Sequence, residues 1–140
     1  MDKIIVYTDG GSRGNPGPSA IGAIINGRGY AEFIGDGTNN EAEYKAVIFA
    51  LKKSKALFGK ERIKEAEVEL RSDSELLVRQ LNGEYKISEP RIQQLFIEVW
   101  NLKIDFGKVK FILIPREKNK QADRLVNEIL DNKAKTQTLF

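Results

Sequence analysis

Hydrophobic and polar positions follow one another along this chain with periods that change several times, and each change marks a predicted element. The run Ile4–Tyr7 is continuously apolar and rich in β-branched residues, which is typical of a strand covered on both faces. Two further apolar runs, 20–25 and 28–34, flank Asn26-Gly27, a pair typical of a tight hairpin turn. The pattern therefore predicts an opening three-stranded antiparallel meander.

From Asn40 onward the apolar positions recur every three or four residues, which predicts a helix that Asn39 or Asn40 caps and Gly59 ends. Strict alternation over 66–71 predicts a fourth strand. The remaining predicted elements are a helix over 74–82, a helix from near Pro90 to 106, a strand over 109–114 and a helix over 119–131.

The element order β-β-β-α-β-α-α-β-α predicts an α/β fold, with a five-stranded mixed sheet and helices on both of its faces. Three antiparallel strands come first and two parallel strands follow. Right-handed crossovers place the strands ending at Asp9 and Asp73 parallel, so that both carboxylates lie at one edge of the sheet. We expect residues 1–131 to form one domain and 132–140 to form a loose C-terminal tail.

Neither a run of 18 apolar residues nor a charged-then-apolar leader occurs in the sequence. We therefore expect a cytoplasmic chain without a membrane span. We also expect the chain to be monomeric.

The net charge is +3, and residues 1–50 carry four Lys/Arg against six Asp/Glu. The basic surplus thus lies in the later part of the chain, which is compatible with a polyanionic partner and equally with an ordinary solvated surface.

The chain contains no cysteine and no histidine. These absences exclude disulfides, thiol nucleophiles and Cys/His zinc sites. Any general base must then be a carboxylate, a lysine, a tyrosine or a metal-bound water. Carboxylate oxygens suit hard cations such as magnesium and manganese.

Four carboxylates occupy positions that this fold can bring together. Asp9 and Asp73 follow strands, whereas Glu43 and Asp123 lie in the first turns of helices, each on the apolar stripe of its helix. Taken singly, each also has a structural interpretation, as a turn residue or as a complement to the helix dipole. Taken together they favour a site for two divalent cations, the usual machinery for in-line displacement at phosphorus.

Four stretches that contain these acids resemble the successive motifs of type 1 ribonuclease H. They are TDGGSRGNPG at 8–17, TNNEAE at 38–43, SDS at 72–74 and NKQAD at 119–123, and the resemblance runs from about residue 3 to residue 130. It implies the ribonuclease H fold and an endoribonuclease that cleaves the RNA strand of RNA/DNA hybrids, leaving 5′-phosphate and 3′-hydroxyl ends. It also implies that Asp9, Glu43, Asp73 and Asp123 hold two magnesium or manganese ions when substrate is bound.

The resemblance further implies a set of residues that bind the hybrid. Asn15, Asn39 and Asn40 would contact the minor groove, where 2′-hydroxyl groups distinguish RNA from DNA. Thr38 would hold a phosphate of the DNA strand, and Gln80 is a further candidate for substrate binding.

Two features depart from the family pattern. Many members carry a histidine in the loop before the last aspartate, where this chain has IPREK at 114–118. Arg116 or Glu117 would substitute for it, with Asn119 as a third auxiliary residue, although Arg116 is also interpretable as an ordinary exposed turn residue. Some members also insert a basic helical protrusion, where only 82–88 separate two helices here. Substrate affinity would then rest on scattered cations, namely Lys86, Arg91, Lys118, Lys120 and Arg124.

Two other classes of function remain open at this point. One is a hybrid-binding protein without chemistry, although four mutually repelling carboxylates beside phosphates would not help a pure binder. The other is a different nuclease or an integrase with the same fold. The asparagine set and the short chain favour the hybrid nuclease.

Overall fold

The computed structural model describes residues 2–138, with the side chains of residues 2–134. A short 3-10 turn, Arg116–Lys118, precedes the last helix. The strands and helices are β1 (Asp2–Ser12), β2 (Gly17–Ile25), β3 (Arg28–Gly37), α1 (Asn39–Phe58), α2 (Lys60–Ile63), β4 (Ala66–Ser72), α3 (Glu75–Leu81), α4 (Pro90–Lys103), β5 (Lys108–Leu113) and α5 (Lys120–Thr138).

The five strands form one sheet in the order β3-β2-β1-β4-β5. β1, β2 and β3 are antiparallel neighbours, whereas β4 is parallel to both β1 and β5. The predicted mixed sheet is therefore confirmed, as is the predicted parallel pairing of the strands before Asp9 and Asp73. β1 lies at the centre of the sheet, where it pairs with β2 on one side and with β4 on the other.

Helices cover both faces of the sheet, as predicted. On one face α1 packs on β1 and β2, and the main core lies beneath it with residues such as Ile4, Val6 and Leu51. On the other face α5 packs on β2 and β3, with a smaller core of Ala20, Val126 and Leu130. Because β2 is covered from both sides, it is buried from Ser19 to Ile25.

The N-terminus of α1 differs from its prediction. Thr38, and neither Asn39 nor Asn40, caps the helix, because its side-chain oxygen accepts a hydrogen bond from the Glu41 N–H at 3.1 Å. The Glu41 carboxylate in turn accepts from the Thr38 N–H at 3.4 Å. Such a reciprocal capping box requires a glutamate three residues after the cap, and Thr38 has one.

The C-terminus also differs from its prediction, since α5 continues to Thr138 instead of ending at 131. Residues 132–138, expected to form a loose tail, thus extend the helix, and they contain no glycine or proline that would stop it. Leu139 and Phe140 lie outside the described residues. Among the described helices none is both long enough and apolar enough to cross a membrane.

Candidate active site

The register between β1 and β4 places two of the predicted carboxylates beside each other. Parallel pairing of these strands ends with Tyr7 opposite Arg71. Asp9 and Asp73 each follow two residues later. β1 itself continues to Ser12 against β2, so Asp9 lies within the strand and not at its end as predicted. Beyond Tyr7, β4 no longer pairs with β1, so the edge of β1 that faces β4 is unpaired at Asp9.

Gly10 allows α1 to approach β1 closely enough to bring Glu43 into the same space. A Cβ atom at Gly10 would lie 2.3 Å from both the carbonyl carbon and oxygen of Ala42, so no larger residue fits without a shift of the helix. The Gly10 N–H donates to Oε1 of Glu43 at 3.2 Å. The glycine-rich sequence around Gly10 is typical of a turn, and it gives no sign of this close approach.

Gly22 has the corresponding role on the opposite face of the sheet. It is the β2 partner of Asp9, and a Cβ atom there would lie 2.7 Å from the main-chain oxygen of Ala122. The first turn of α5 therefore lies against β2, at the residue that pairs with Asp9. This approach brings Asp123, the next residue of α5, to the site.

Three of the four predicted carboxylates form a compact group. One side-chain oxygen from each of Asp9, Glu43 and Asp73 lies within 4.8 Å of the others. Asp123 is exposed and is outside this group, but it lines the same cleft of about 470 Å³. The structure thus brings three acids together and places the fourth at the wall of the cleft, which has room for ions and a phosphate group.

Burial and mutual repulsion oppose ionisation of this group. Burial raises the pKa of Asp9 from 3.8 to about 7, and the charges of Asp73 and Asp123 add to the rise. Burial and the Asp9 charge raise the pKa of Glu43. Oε2 of Glu43 is buried and has no hydrogen-bond partner among the described side chains. An uncompensated cluster of carboxylate oxygens of this kind fits divalent cations with oxygen ligands.

Two of the three asparagines predicted to bind substrate line the cleft, and Asn15 and Asn39 connect the loop after β1 to the start of α1. The Asn39 N–H donates to Oδ1 of Asn15 at 3.0 Å, and the Ser12 N–H donates to Oδ1 of Asn39 at 2.9 Å. Asn39 and Asn40 line the cleft together with the carboxylates. The loop after β1 is therefore fixed to the start of α1, and the role of the asparagines toward a substrate stays a prediction.

Thr38 and Gln80, the other two candidates for substrate binding, have internal hydrogen bonds. The Thr38 hydroxyl caps α1, as described above. Gln80 is buried, with Oε1 accepting from the Tyr44 hydroxyl at 2.8 Å and Nε2 donating to the Lys86 carbonyl at 3.3 Å. Gln80 lies outside the lining of the carboxylate cleft and connects α1, α3 and the loop after α3.

The three auxiliary candidates differ in position. Arg116 lines the cleft, and its charge lowers the pKa of Asp73 against the larger, opposite effect of burial. Glu117 is exposed and lines a neighbouring cavity instead. Asn119 is buried, and its amide also lowers the pKa of Asp73 by hydrogen bonding. Arg116, and not Glu117, therefore borders the site where the family's loop histidine would be expected.

Comparison with known proteins identifies similar chains. Residues 7–129 match the family described as reverse transcriptase-like. The bifunctional protein Rv2228c of Mycobacterium tuberculosis is 33% identical over 141 residues, which cover 96% of this chain and 37% of that protein. The ribonuclease HI of Halobacterium salinarum is 38% identical over 136 residues, which cover 93% of this chain and 65% of that protein. The chain thus spans only part of the length of these relatives.

Solved structures give the same result at the level of the fold. The crystal structure of LC11-RNase H1 in complex with an RNA/DNA hybrid superposes with a TM-score of 0.87 and 44% sequence identity. The match covers 94% of this chain and 99% of that one. The agreement therefore extends over nearly all of the fold that carries the carboxylate cleft.

Proposed function

Since the chain belongs to the type 1 ribonuclease H family, we propose that it is a hydrolase, an endoribonuclease that cleaves the RNA strand of RNA/DNA hybrids. The observation that carries this proposal is the meeting of Asp9, Glu43 and Asp73 in one cleft. The solved relative that is bound to an RNA/DNA hybrid supports the same class of substrate here. The proposal includes the monomeric state and the cytoplasmic location expected from the sequence.

Asp9, Glu43 and Asp73, with Asp123 at the wall of the cleft, would hold two divalent cations, magnesium or manganese, when the hybrid is bound. Such ions activate water for attack on the scissile phosphate and stabilise the leaving oxygen. We infer that Asp9 would serve both ions, and the charges of Asp73 and Asp123, which both act on it, support this role. The unpaired oxygen of Glu43 is free to act as a ligand or to accept from a 2′-hydroxyl group. The products would carry 5′-phosphate and 3′-hydroxyl ends.

Discrimination between RNA and DNA would rest on the asparagines beside the carboxylates. The side-chain oxygens of Asn15 and Asn39 are engaged within the protein. Their Nδ2 groups make no hydrogen bond among the described residues, so they remain available as donors. Amide donors in the minor groove can bind 2′-hydroxyl groups, which only the RNA strand carries. Asn40, which also lines the cleft, would take part in the same contact.

The test is an assay of the Asp9→Asn variant on an RNA/DNA hybrid, double-stranded RNA and double-stranded DNA, each with magnesium and with manganese. We expect the wild type to cleave the hybrid alone and the variant to lose about 1000-fold in turnover, since a ligand to both ions is lost. Asp36→Asn is the matched control, because Asp36 is exposed on β3 and lies outside the cleft.

Several results would contradict the proposal. Wild-type turnover in Asp9→Asn would exclude the carboxylates as the metal site. Tight binding of the hybrid in EDTA, with no cleavage by the wild type in either metal, would identify a binding protein without chemistry. Cleavage of double-stranded DNA would identify a nuclease or integrase of another class.

A further inference from the structure

Asn119 lies between the 3-10 turn and α5, and only 1% of its surface is exposed. Its amide nitrogen Nδ2 lies 2.9 Å from the main-chain oxygen of Thr8, the residue before Asp9. The same nitrogen lies 3.4 Å from Oδ2 of Asp73. One buried amide therefore contacts both the strand that carries Asp9 and the carboxylate that follows β4.

The main chain of Asn119 extends this set of contacts to the third element of the site. Its carbonyl oxygen accepts a hydrogen bond from the N–H of Asp123 at 3.1 Å, in the first turn of α5. Asn119 thus connects three elements that lie far apart in sequence and that carry Asp9, Asp73 and Asp123.

Helix capping does not explain why an asparagine occupies position 119. An asparagine before a helix ordinarily accepts a main-chain hydrogen bond at its side-chain oxygen. Oδ1 of Asn119 is buried and has no hydrogen-bond partner among the described residues. A buried oxygen without a partner lowers the stability of the fold. The contacts of the nitrogen are therefore the feature that explains an asparagine at this position.

We propose that Asn119 is a positioning residue: it orients the Asp73 carboxylate toward Asp9 and holds the first turn of α5 against β1, and so increases the affinity of the site for divalent cations. The inference rests on the proposed function, because it concerns the same carboxylates. Hydrogen bonds from neighbouring side chains fix the orientation of metal-binding groups and are required for full affinity.

The experiment measures binding of magnesium and of manganese to the Asn119→Ala variant by isothermal titration calorimetry. We expect affinity to fall about 10–100-fold, the usual effect of removing a hydrogen bond to a metal ligand. The metal concentration for half-maximal cleavage should rise by the same factor. Affinity for the hybrid in EDTA, and KM at saturating metal, should stay within about twofold of the wild type, because Asn119 is too deeply buried to contact substrate.

Asn82→Ala is the matched control. The Asn82 Nδ2 also donates to a main-chain carbonyl on a strand, that of Phe111 at 3.1 Å, but away from the carboxylate cleft. We expect this variant to bind metal as the wild type does. A folded Asn119→Ala protein with wild-type metal affinity would overturn the inference. A wild type that neither binds metal nor cleaves the hybrid would contradict the proposed function instead.

Two further measurements keep the inference testable if Asn119→Ala fails to fold. Asn119→Ser removes the amide while leaving a small polar side chain, and we expect the same loss of metal affinity. In the wild type, the NMR signals of the Asn119 side-chain amide should shift as magnesium saturates the site, while those of Asn82 should not. Unchanged Asn119 signals at saturating magnesium would overturn the inference.

Discussion

Asp9 lies where burial and two neighbouring carboxylates act on it in the same direction, so its proton is held far more tightly than that of a free aspartic acid. In the folded protein its pKa is about 7, against 3.8 for the ordinary group. Between these values the folded state binds more protons than the unfolded state. The free energy of unfolding without metal must therefore decrease as the pH rises through this range.

Replacement of Asp9 by Asn should remove this penalty. In EDTA at pH 8 we expect Asp9→Asn to raise the free energy of unfolding by about 1–2 kcal/mol, a gain of the size typical when a costly functional group is removed. At pH 4 the carboxyl of the folded wild type is already protonated, so the gain should nearly disappear. Urea unfolding of the wild type and of Asp9→Asn at pH 8 and at pH 4 measures the gain in the free energy of unfolding at each pH. An Asp9→Asn protein no more stable than the wild type at pH 8 would contradict the assigned burial cost.

The four carboxylates could be predicted from the sequence because their positions after strands and in first helical turns follow from local pattern. Their separation into a compact group of three and an outlying Asp123 could not, because it depends on how closely α1 and α5 approach the sheet. Nor could the sequence distinguish Arg116 from Glu117, since adjacent residues of a short turn point in different directions.

At the scale of elements, Gly10 and Gly22 decide how closely α1 and α5 approach the sheet. Gly10 faces α1 and Gly22 faces α5, and each leaves room for main-chain atoms where a side chain would clash. Both positions pair with residues of the neighbouring strand in regular register, so they serve helix packing instead of turn formation.

A methyl group at Gly10 should therefore act on the site through α1. We expect Gly10→Ala to lower the free energy of unfolding by about 1–3 kcal/mol, as overpacking does. The value of kcat should fall even where the variant is fully folded, because Glu43 moves with α1. Gly29→Ala is the control, since the nearest atoms to its added Cβ would be the ends of flexible side chains, Leu125 at 3.3 Å and Ile24 at 3.5 Å. Urea unfolding and kcat measure the two effects, and an active Gly10→Ala enzyme would exclude the close approach as a requirement.

The mixed sheet and most elements could be predicted because the apolar positions recur with a regular period over long stretches of the chain. The cap of α1 could not, because Thr38, Asn39 and Asn40 are all good capping residues and only the pairing with Glu41 decides among them. The four-residue α2 was missed, since a single turn has too few residues to show a period.

At the scale of the whole molecule, the net charge of +3 does not show which basic side chains are paired with an acid and which are not. Of the five cations expected to contact substrate, Arg91 pairs with Glu41 at 3.5 Å. The other four, namely Lys86, Lys118, Lys120 and Arg124, make no salt bridge among the described residues. These side chains can therefore bind phosphates without first breaking an ion pair.

Binding of the hybrid should accordingly depend on salt. We expect Lys86→Ala to weaken hybrid binding in EDTA and to reduce the slope of log K against log salt by about 1, the change for one lost phosphate contact. Lys64→Ala is the control, because Lys64 follows α2, outside the cleft, and pairs with Glu61 at 3.9 Å. Fluorescence anisotropy over a salt series measures the slopes, and equal slopes for Lys86→Ala and the wild type would exclude this contact.

The pairing of Tyr7 with Arg71 also sets which changes of chain length the protein can tolerate. Asp9 and Asp73 are each two residues from that pair, and side chains along a strand alternate between faces. One residue inserted between Arg71 and Asp73 would leave the pairing of β1 with β4 unchanged and yet move the Asp73 carboxylate away from its place beside Asp9. Insertions and deletions in related sequences should therefore be absent from the two short stretches that separate Tyr7 from Asp9 and Arg71 from Asp73.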